Sequence, residues 1–225
     1  MRLPNAGASS ETLMDTYGIY HLTRLGANKS MKDLSEAFLK AQDKLKARTD
    51  AHKAAQASTM QAMAIRDGED AALDDLVRAF ALGILAKVGN TRKAPLYQKY
   101  FPDGLNAIVG APMDAQIQRT GVILTRLAEE EDESLKTHIG PLTTGMKSLQ
   151  ATMEAHRAAL ASEVQSYGLL QTEKVNWLDA YKRSYRELTR IYFKEPKKAD
   201  TYFKPAPKAK KDATTAPEQA GGPVN

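Results

Sequence analysis

The sequence predicts an all-α protein: an elongated antiparallel helical bundle of coiled-coil type, with four helical segments and a very long last helix. Counting in sevens from Leu142 and from Met146 up to Ile191, eleven of fifteen positions are apolar or aromatic. No proline interrupts the chain between Pro141 and Pro196. Aromatic residues make up only 7% of the chain, while the helix formers Ala, Leu, Met, Gln and Lys are abundant. At ~1.5 Å per residue the last helix is roughly 80 Å long, which predicts an elongated molecule.

Composition limits the chemistry and the location. The chain has no Cys, which excludes disulfides, thiolate catalysis and cysteine-ligated metals. The first residues lack an apolar core of signal-peptide length, and the longest apolar run, Ala79–Ala86, is too short to cross a bilayer. We therefore expect a cytoplasmic protein.

The chain begins with an arm and continues into the bundle. Residues 1–29 are rich in Gly, Ser and Asn, which predicts a partly ordered N-terminal arm with one short helix near residues 11–20. The bundle then occupies residues 30–195. Its first helix covers about 30–66 and is expected to break at Asp67-Gly68. Its second helix covers about 69–88 and stops at Gly89-Asn90.

A long apolar loop connects the two halves of the bundle. Residues 91–111 lose the helical periodicity and contain Pro95, Pro102 and Gly104, yet they carry many apolar side chains. One interpretation is that the loop packs as a cap on one end of the bundle. The other is that it forms a binding lid or a surface for docking a partner.

Two more helices and a tail complete the chain. The third helix is predicted over 112–139 and the last over 141–194, joined by a tight reversal at Gly140-Pro141. The run Glu129–Glu133 is interpreted as a solvated acidic helix end, or else a docking patch, and it requires compensating cations nearby. Residues 196–225 are predicted to be a tail, basic at first and then disordered and of low complexity.

The last helix has more apolar seam than the shorter second and third helices can cover. Trp177 and Tyr181 lie on the uncovered half. We expect them to pack either on the arm or on a second copy of the chain, and we take a homodimer as the default.

An internal repeat relates the first and last helices. Residues 47–61 and 151–165 align at a constant offset of 104, with eight of fifteen positions identical, five of them Ala. A duplicated helical hairpin would produce this match. Two alanine-rich helices with the same period would produce it too, and both interpretations remain open.

Catalytic and metal-binding motifs are not found. His52 and His156 lie on apolar seams without the Glu-x-x-His pairs of di-iron bundles, so each is predicted to be a partly buried histidine with a hydrogen-bond partner. There is no phosphate-binding glycine loop and no nucleophile-elbow sequence. We predict a protein that is not an enzyme, with no metal, no cofactor and no evident small-molecule substrate.

The most specific signal lies at the basic C-terminal end. Residues 181–211 carry a net charge of +8, against +5 for the whole chain, and Tyr-Phe-Lys occurs twice, ten residues apart. The predicted partner-binding residues are Lys182, Arg183, Arg186, Arg190, Tyr192, Phe193, Lys194, Tyr202, Phe203 and Lys204. They fit anionic lipid headgroups or single-stranded nucleic acid. Alternatively, the Tyr-Phe pairs of a solubilising tail latch back onto the bundle.

These observations favour a non-enzymatic helical interaction or scaffold protein. Its basic, aromatic C-terminal end would engage a protein partner or an anionic membrane surface, which would place it at the periphery of a membrane. The alternative is a nucleic-acid-binding accessory protein that uses the same basic end.

Overall fold

A computed structural model describes residues 3–5 and 7–205, and every regular element in this part of the chain is helical. The all-α class is confirmed. A π-helix at Thr12–Gly18 leads into α1 and a 3-10 turn at Lys29–Met31 leads into α2. The eight α-helices are α1 (Ile19–Gly26), α2 (Lys32–Lys87), α3 (Pro95–Tyr100), α4 (Asn106–Val109), α5 (Met113–Ala128), α6 (Glu133–Lys136), α7 (Ile139–Ile191) and α8 (Pro196–Asp200).

The chain divides into two compact units. The terminal unit comprises the chain up to Lys46 and from Glu173 onwards, and the central unit comprises 47–172. Within each unit α2 and α7 pack against each other as antiparallel helices. Packing between the two long helices stabilises both of them, because helices in proteins gain most of their stability from tertiary contacts.

The core of the central unit comes from α2, from the connection between α2 and α5, from α5 itself and from the start of α7. Its fully buried side chains include Leu73, Val77, Phe80, Ile84, Tyr97, Tyr100, Phe101, Ile123, Leu127, Leu142 and Leu149. The predicted loop 91–111 contains the short helices α3 and α4, and its aromatic residues lie in this core. These residues of the loop are therefore packed, as the first of the two interpretations expects.

The predicted break at Gly68 is wrong, because α2 continues unbroken from Lys32 to Lys87. Gly68 is exposed, and its Cα hydrogens face open space. An interior glycine costs a helix only about 1 kcal/mol, and the buried Leu73 and Val77 anchor the next turn. The predicted stop at Gly89-Asn90 is confirmed, and both residues adopt a positive φ, 61° and 60°.

The predicted reversal at Gly140-Pro141 is also wrong. α5 ends at Ala128, not near residue 139, and the chain reverses over residues 129–138 with α6 inside the turn. Consecutive acids just after Ala128 oppose the helix dipole, which favours an early end. Pro141 lies in the first turn of α7, where its missing N–H removes no hydrogen bond.

Both chain ends are more ordered than predicted within the described residues. The arm is helical through residue 26 instead of only over residues 11–20. Residues 196–200 form α8, and the predicted tail then buries Tyr202 and Phe203. The expectation of disorder for residues 212–225 lies outside the described residues, as do Lys208, Lys210 and Lys211.

Candidate partner-binding surface

Aromatic side chains form the core of the terminal unit. Trp177 stacks on Tyr181 at a centroid distance of 5.2 Å, and Phe38 of α2 contacts both rings. The edge of Tyr17, in the arm, approaches Tyr181 at 6.5 Å. Trp177 and Tyr181 are fully buried within one copy of the chain. The arm therefore covers them, as one of the two predicted alternatives requires.

Gln42 ties the arm to both long helices. Its Nε2 donates to the carbonyl oxygen of Met14 at 3.1 Å, and its Oε1 accepts from Nε1 of Trp177 at 2.8 Å. A Cβ on Gly18 would overlap the Gln42 amide, so a larger residue at this position of the π-helix requires Gln42 to move. π-helical turns are rare and are frequently found at functional sites. Sequence reasoning missed Gln42, because one glutamine on a polar helix gives no signal.

His21 joins three parts of the terminal unit. Its Nδ1 lies 2.9 Å from the carbonyl oxygen of Tyr202, and its Nε2 lies 2.6 Å from Oγ of Ser184. A carbonyl only accepts, so Nδ1 carries the proton and Nε2 accepts from the serine hydroxyl. Burial lowers the pKa of His21 to about 4, because the charged ring would lose its hydration. His21 therefore joins α1, α7 and the C-terminal segment as a neutral ring.

The pairing of Ser184 with His21 has the distance of a catalytic dyad but not its surroundings. Ser184 is 2% exposed and His21 is fully buried. Ser184 lies in the interior of α7, where backbone N–H groups are occupied by helical hydrogen bonds and supply no oxyanion donors. A phenyl ring, that of Phe203, stacks on the imidazole at 4.5 Å. We therefore interpret the pair as a structural hydrogen bond.

The second Tyr-Phe-Lys copy lies inside the protein. Tyr202 and Phe203 are 6% and 2% exposed, and Phe203 packs between His21, Tyr181 and Tyr185. The hydroxyl groups of Tyr202 and Tyr192 lie 3.0 Å apart. Tyr202 and Phe203 consequently drop out of the predicted partner surface, because they bury their apolar area against their own chain. The second copy thus packs back onto its own chain, and Tyr192 of the first copy joins it, because its hydroxyl accepts a 3.2 Å hydrogen bond from Nδ2 of Asn28.

The first Tyr-Phe-Lys copy presents its phenylalanine to solvent. Phe193 is 70% exposed, with Nζ of Lys194 at 5.5 Å from its ring centroid. Tyr192 is half-buried, and Nζ of Lys198 lies 4.7 Å from its ring. Lys204, from the second copy, is exposed and lies 5.9 Å from the ring of Tyr17. Of the two copies, only the first is available to a partner through its aromatic ring.

Neighbouring acids partly neutralise the basic residues of α7. Lys182 pairs with Asp179 at 3.3 Å, and Arg190 pairs with Glu187 at 2.9 Å. Both pairs are exposed and three residues apart, so they contribute little to stability. Arg183 and Arg186 are exposed and have no acidic partner within the part of the chain that the structure describes. These two arginines are the α7 residues most available to an anionic partner.

A groove of about 370 Å³ lies between α2 and α7 within the terminal unit. Lys40 and Lys44 of α2 and Arg183 of α7 stand along it, and none of them pairs with an acid in the described chain. Glu173 and Glu187 also line it. Its apolar floor consists of Leu34, Ala37, Phe38, Ala41 and Ala180. We name this feature the terminal groove.

The sequence contains a signal for the terminal groove that runs of like charge do not show. Ala37 and Ala41 are four residues apart, as are Lys40 and Lys44, so α2 carries a stripe of small residues beside a stripe of bases. Small side chains leave space between packed helices, and the neighbouring lysines then border that space. Only the pairing of α2 with α7 brings Arg183 to the same place.

In the central unit the predicted polar residues take structural roles. Nδ1 of His52 lies 2.9 Å from Oγ of Ser166, and Nδ1 of His156 lies 3.1 Å from Nη1 of Arg66, so both half-buried histidines have partners as predicted. No group of His, Asp and Glu among the described residues is placed to hold a metal ion.

The acidic run has the compensating cations that the sequence required. Lys99 lies 2.8 Å from Glu130, and Lys87 lies 2.6 Å from Asp132. Hydrogen bonds from Lys99 and Tyr100 lower the pKa of Glu130 to about 2. The run therefore joins α2, α3 and the turn before α6, in place of a fully solvated end.

The chain was also compared with membrane-spanning helices and with known proteins. Within the described residues, no helix has both the length and the apolar character that crossing a membrane requires. Comparison of the chain with models of known families, with curated proteins and with solved structures gives no match.

Proposed function

We propose that this protein is a non-enzymatic helical interaction protein that binds an acidic helical segment of a partner protein in the terminal groove. The observation that supports it is the combination of an apolar floor with three unpaired cations, Lys40, Lys44 and Arg183. An amphipathic helix binds such a groove through apolar anchors, while its acidic side chains meet the bases.

The composition of the groove favours a peptide over a small substrate. The groove is open along two helices, and three cations, the two carboxylates of Glu173 and Glu187 and small apolar residues line it, while the hydroxyl group of Ser184 is buried. Opposite charges at its edge would mainly raise the association rate and select acidic partners, whereas the floor would contribute apolar burial. Arg186 lies one turn after Lys182 and extends the positive field beyond the groove.

Fluorescence anisotropy with a synthetic helical peptide tests this proposal. The peptide carries Glu on one face and Leu on the other, and a matched peptide carries Lys in place of Glu. We expect the acidic peptide alone to bind the full chain. The double variant Lys44→Glu with Arg183→Glu should bind it about tenfold more weakly, equivalent to about 1.4 kcal/mol.

The control variant makes the same charge change in the central unit. Arg92 and Lys93 are exposed and have no acidic partner among the described residues, so Arg92→Glu with Lys93→Glu should leave binding unchanged. Equal affinity of the chain and the Lys44→Glu, Arg183→Glu variant for the acidic peptide would reject the terminal groove as its site.

An anionic membrane surface is a second candidate, supported by Phe193. An aromatic ring that is 70% exposed and stands beside Lys194 fits the interface of a bilayer with anionic headgroups. Co-sedimentation with phosphatidylserine vesicles, lost in Phe193→Ala, would favour this candidate. A gel shift with single-stranded oligonucleotide, reduced in Arg183→Glu with Arg186→Glu, would favour the nucleic-acid alternative instead.

A further inference from the structure

A second surface lies in the central unit, where α2 and α7 form a two-helix segment over residues 47–66 and 153–172. We name this segment the central hairpin. Most of the residues between its helices are small or polar: Thr49, His52, Ala55, Thr59 and Ala62 of α2, and His156, Ala159, Glu163 and Ser166 of α7. Met153 and Leu170 of α7 are the buried large apolar side chains of this segment. A seam of this kind brings the helices close together but buries few large apolar groups.

Most of the large apolar side chains of the central hairpin are exposed, and Met153 and Leu170 are the buried exceptions. Met60 and Val164 are 69% and 67% exposed, Tyr167 is 53% exposed, and Leu160 and Met63 are 47% and 45% exposed. Ile65 and Leu169, exposed at 50% and 42%, lie on another side of their helices, thirteen residues after each histidine. Charged residues are fewer here than in the chain as a whole: 47–66 contains Arg48, Asp50, Lys53 and Arg66, and 153–172 contains Glu154, Arg157 and Glu163. Surface helices normally carry their charged residues on the face opposite the seam, so this pattern indicates a face that is covered by another helix pair.

The internal repeat places these residues on one side of the hairpin. The offset of 104 that aligns His52 with His156 also aligns Met60 with Val164 and Met63 with Tyr167. These positions follow each histidine by eight and eleven residues, and thus lie about 80° and 20° around the helix from it. The contacts of His52 with Ser166 and of Arg66 with His156 show that the helices are antiparallel.

Antiparallel helices with equivalent sequences are related by a local two-fold axis perpendicular to both. Such an axis carries equivalent positions to the same side of the pair, so Met60, Met63, Val164 and Tyr167 form one apolar face together with Leu160. We name it the hairpin face. The face is symmetric about the local axis, which makes it complementary in layout to another copy of itself.

We propose that the hairpin face binds the hairpin face of a second copy of this chain, so that two hairpins form a four-helix bundle. Five side chains of this size, each exposing on the order of 100 Å², contribute roughly 500 Å² per copy. If all of this area is buried, two copies together bury about 1,000 Å², which is the lower bound for a specific interface. The dimer thus joins the central units and does not use Trp177 or Tyr181.

Other occupants fit the hairpin face less well. A helix that lies in a membrane interface is rich in Lys and Arg along its polar face, whereas the 40 residues of the central hairpin contain four such residues, Arg48, Lys53, Arg66 and Arg157. Lys53 and Arg157 are equivalent in the repeat and lie two turns before Met60 and Val164, so they stand at the border of the hairpin face. A symmetric helix pair is the partner whose layout matches the face, and a second copy supplies one.

Light scattering coupled to size exclusion tests the dimer over a range of protein concentrations. The full chain of 24.7 kDa should elute with twice that mass. Met60→Glu with Val164→Glu should elute as a monomer, because four carboxylates would be buried in the interface. The control, Leu82→Glu with Val175→Glu, changes residues that are equally exposed, at 65% and 57%, but lie outside the central hairpin, and should remain a dimer.

Milder variants guard against loss of folding. Met60→Gln with Val164→Thr preserves side-chain size, so it should keep the helical circular dichroism of the parent while raising the dimer dissociation constant at least tenfold. A monomeric parent at all concentrations would overturn the proposal. A dimer that Met60→Glu with Val164→Glu leaves unchanged would also overturn it. So would a monomeric chain that binds vesicles and loses that binding in the Met60→Glu, Val164→Glu variant. Binding of the acidic peptide in the terminal groove is measured separately and does not depend on this result.

Discussion

The indole N–H of Trp177 donates a 2.8 Å hydrogen bond to Oε1 of Gln42, whose Nε2 in turn donates to the Met14 carbonyl. One amide therefore satisfies a buried indole and a carbonyl of the arm. Without the amide, the indole N–H would lose its partner, and an unsatisfied buried polar group costs about 1–3 kcal/mol. The Met14 carbonyl would keep the hydrogen bond that it accepts from the Ile19 N–H. The bond makes the arm part of the folded terminal unit.

We predict that Gln42→Ala lowers the free energy of unfolding by about 2–4 kcal/mol, from the lost hydrogen bonds and the cavity. Urea denaturation followed by the fluorescence of Trp177, the only tryptophan in the chain, measures this. Gln150→Ala on the exposed side of α7 is the control and should change stability by less than about 0.5 kcal/mol. Equal stability of the two variants would contradict the bridging role of Gln42.

Two glycines on helices should respond in opposite directions to replacement by alanine. Gly68→Ala should raise the free energy of unfolding by about 0.5–1 kcal/mol, because a Cβ at this exposed position meets no atom and alanine favours the helix. Gly18→Ala should lower it by about 1–3 kcal/mol, because the new methyl group overlaps the Gln42 amide. Thermal unfolding monitored by circular dichroism checks both, and a stabilised Gly18→Ala would show that Gln42 moves aside without cost.

The errors in the sequence-based fold have a common physical origin. The seam of the last helix and the stop at Gly89 follow from local periodicity and turn chemistry, and both are observed. Gly68 and Pro141 are equally strong local signals, yet tertiary packing and position within the first turn override them. A glycine inside a helix costs only about 1 kcal/mol relative to alanine, and the burial of a few side chains in the next turn outweighs this cost.

The candidate surface was less predictable than the fold. The basic α7 residues could be identified from their spacing, but the sequence could not show which of the two Tyr-Phe-Lys copies is buried. That depends on His21, which is far away in the chain and whose Nδ1 donates a hydrogen bond to the Tyr202 carbonyl of the second copy. Lys40 and Lys44 join the surface only because α2 pairs with α7. Contacts between distant segments therefore determine the site.

Acid should destabilise the protein through His21. The pKa of this residue falls from its ordinary value of 6.5 to about 4 on folding, mainly because burial disfavours the charged ring. The unfolded chain therefore binds more protons between these values. The stability that neutral His21 contributes to the folded state is fully present above pH 6.5 and is lost as the pH falls towards 4. The total loss in the free energy of unfolding is roughly 3 kcal/mol.

Urea titrations at several pH values between 4 and 6.5 measure this loss, with His21→Gln as the reference. A glutamine can still donate to the Tyr202 carbonyl and accept from Ser184, but it does not titrate. The difference in stability between the parent and His21→Gln should narrow steadily as the pH is lowered. A difference that stays constant over this range would mean that the buried ring accepts a proton without penalty.

The two Tyr-Phe-Lys copies provide a matched pair of truncations. Phe203→Ala should lower the free energy of unfolding by about 3–5 kcal/mol, because the ring is 2% exposed and stacks on His21. Phe193→Ala removes a ring that is 70% exposed and should change stability by less than about 0.5 kcal/mol. Both variants keep the same charge, so chemical denaturation compares burial alone. If Phe203→Ala were as stable as Phe193→Ala, the C-terminal segment would not be latched in solution, and Tyr202 and Phe203 would return to the surface available for a partner.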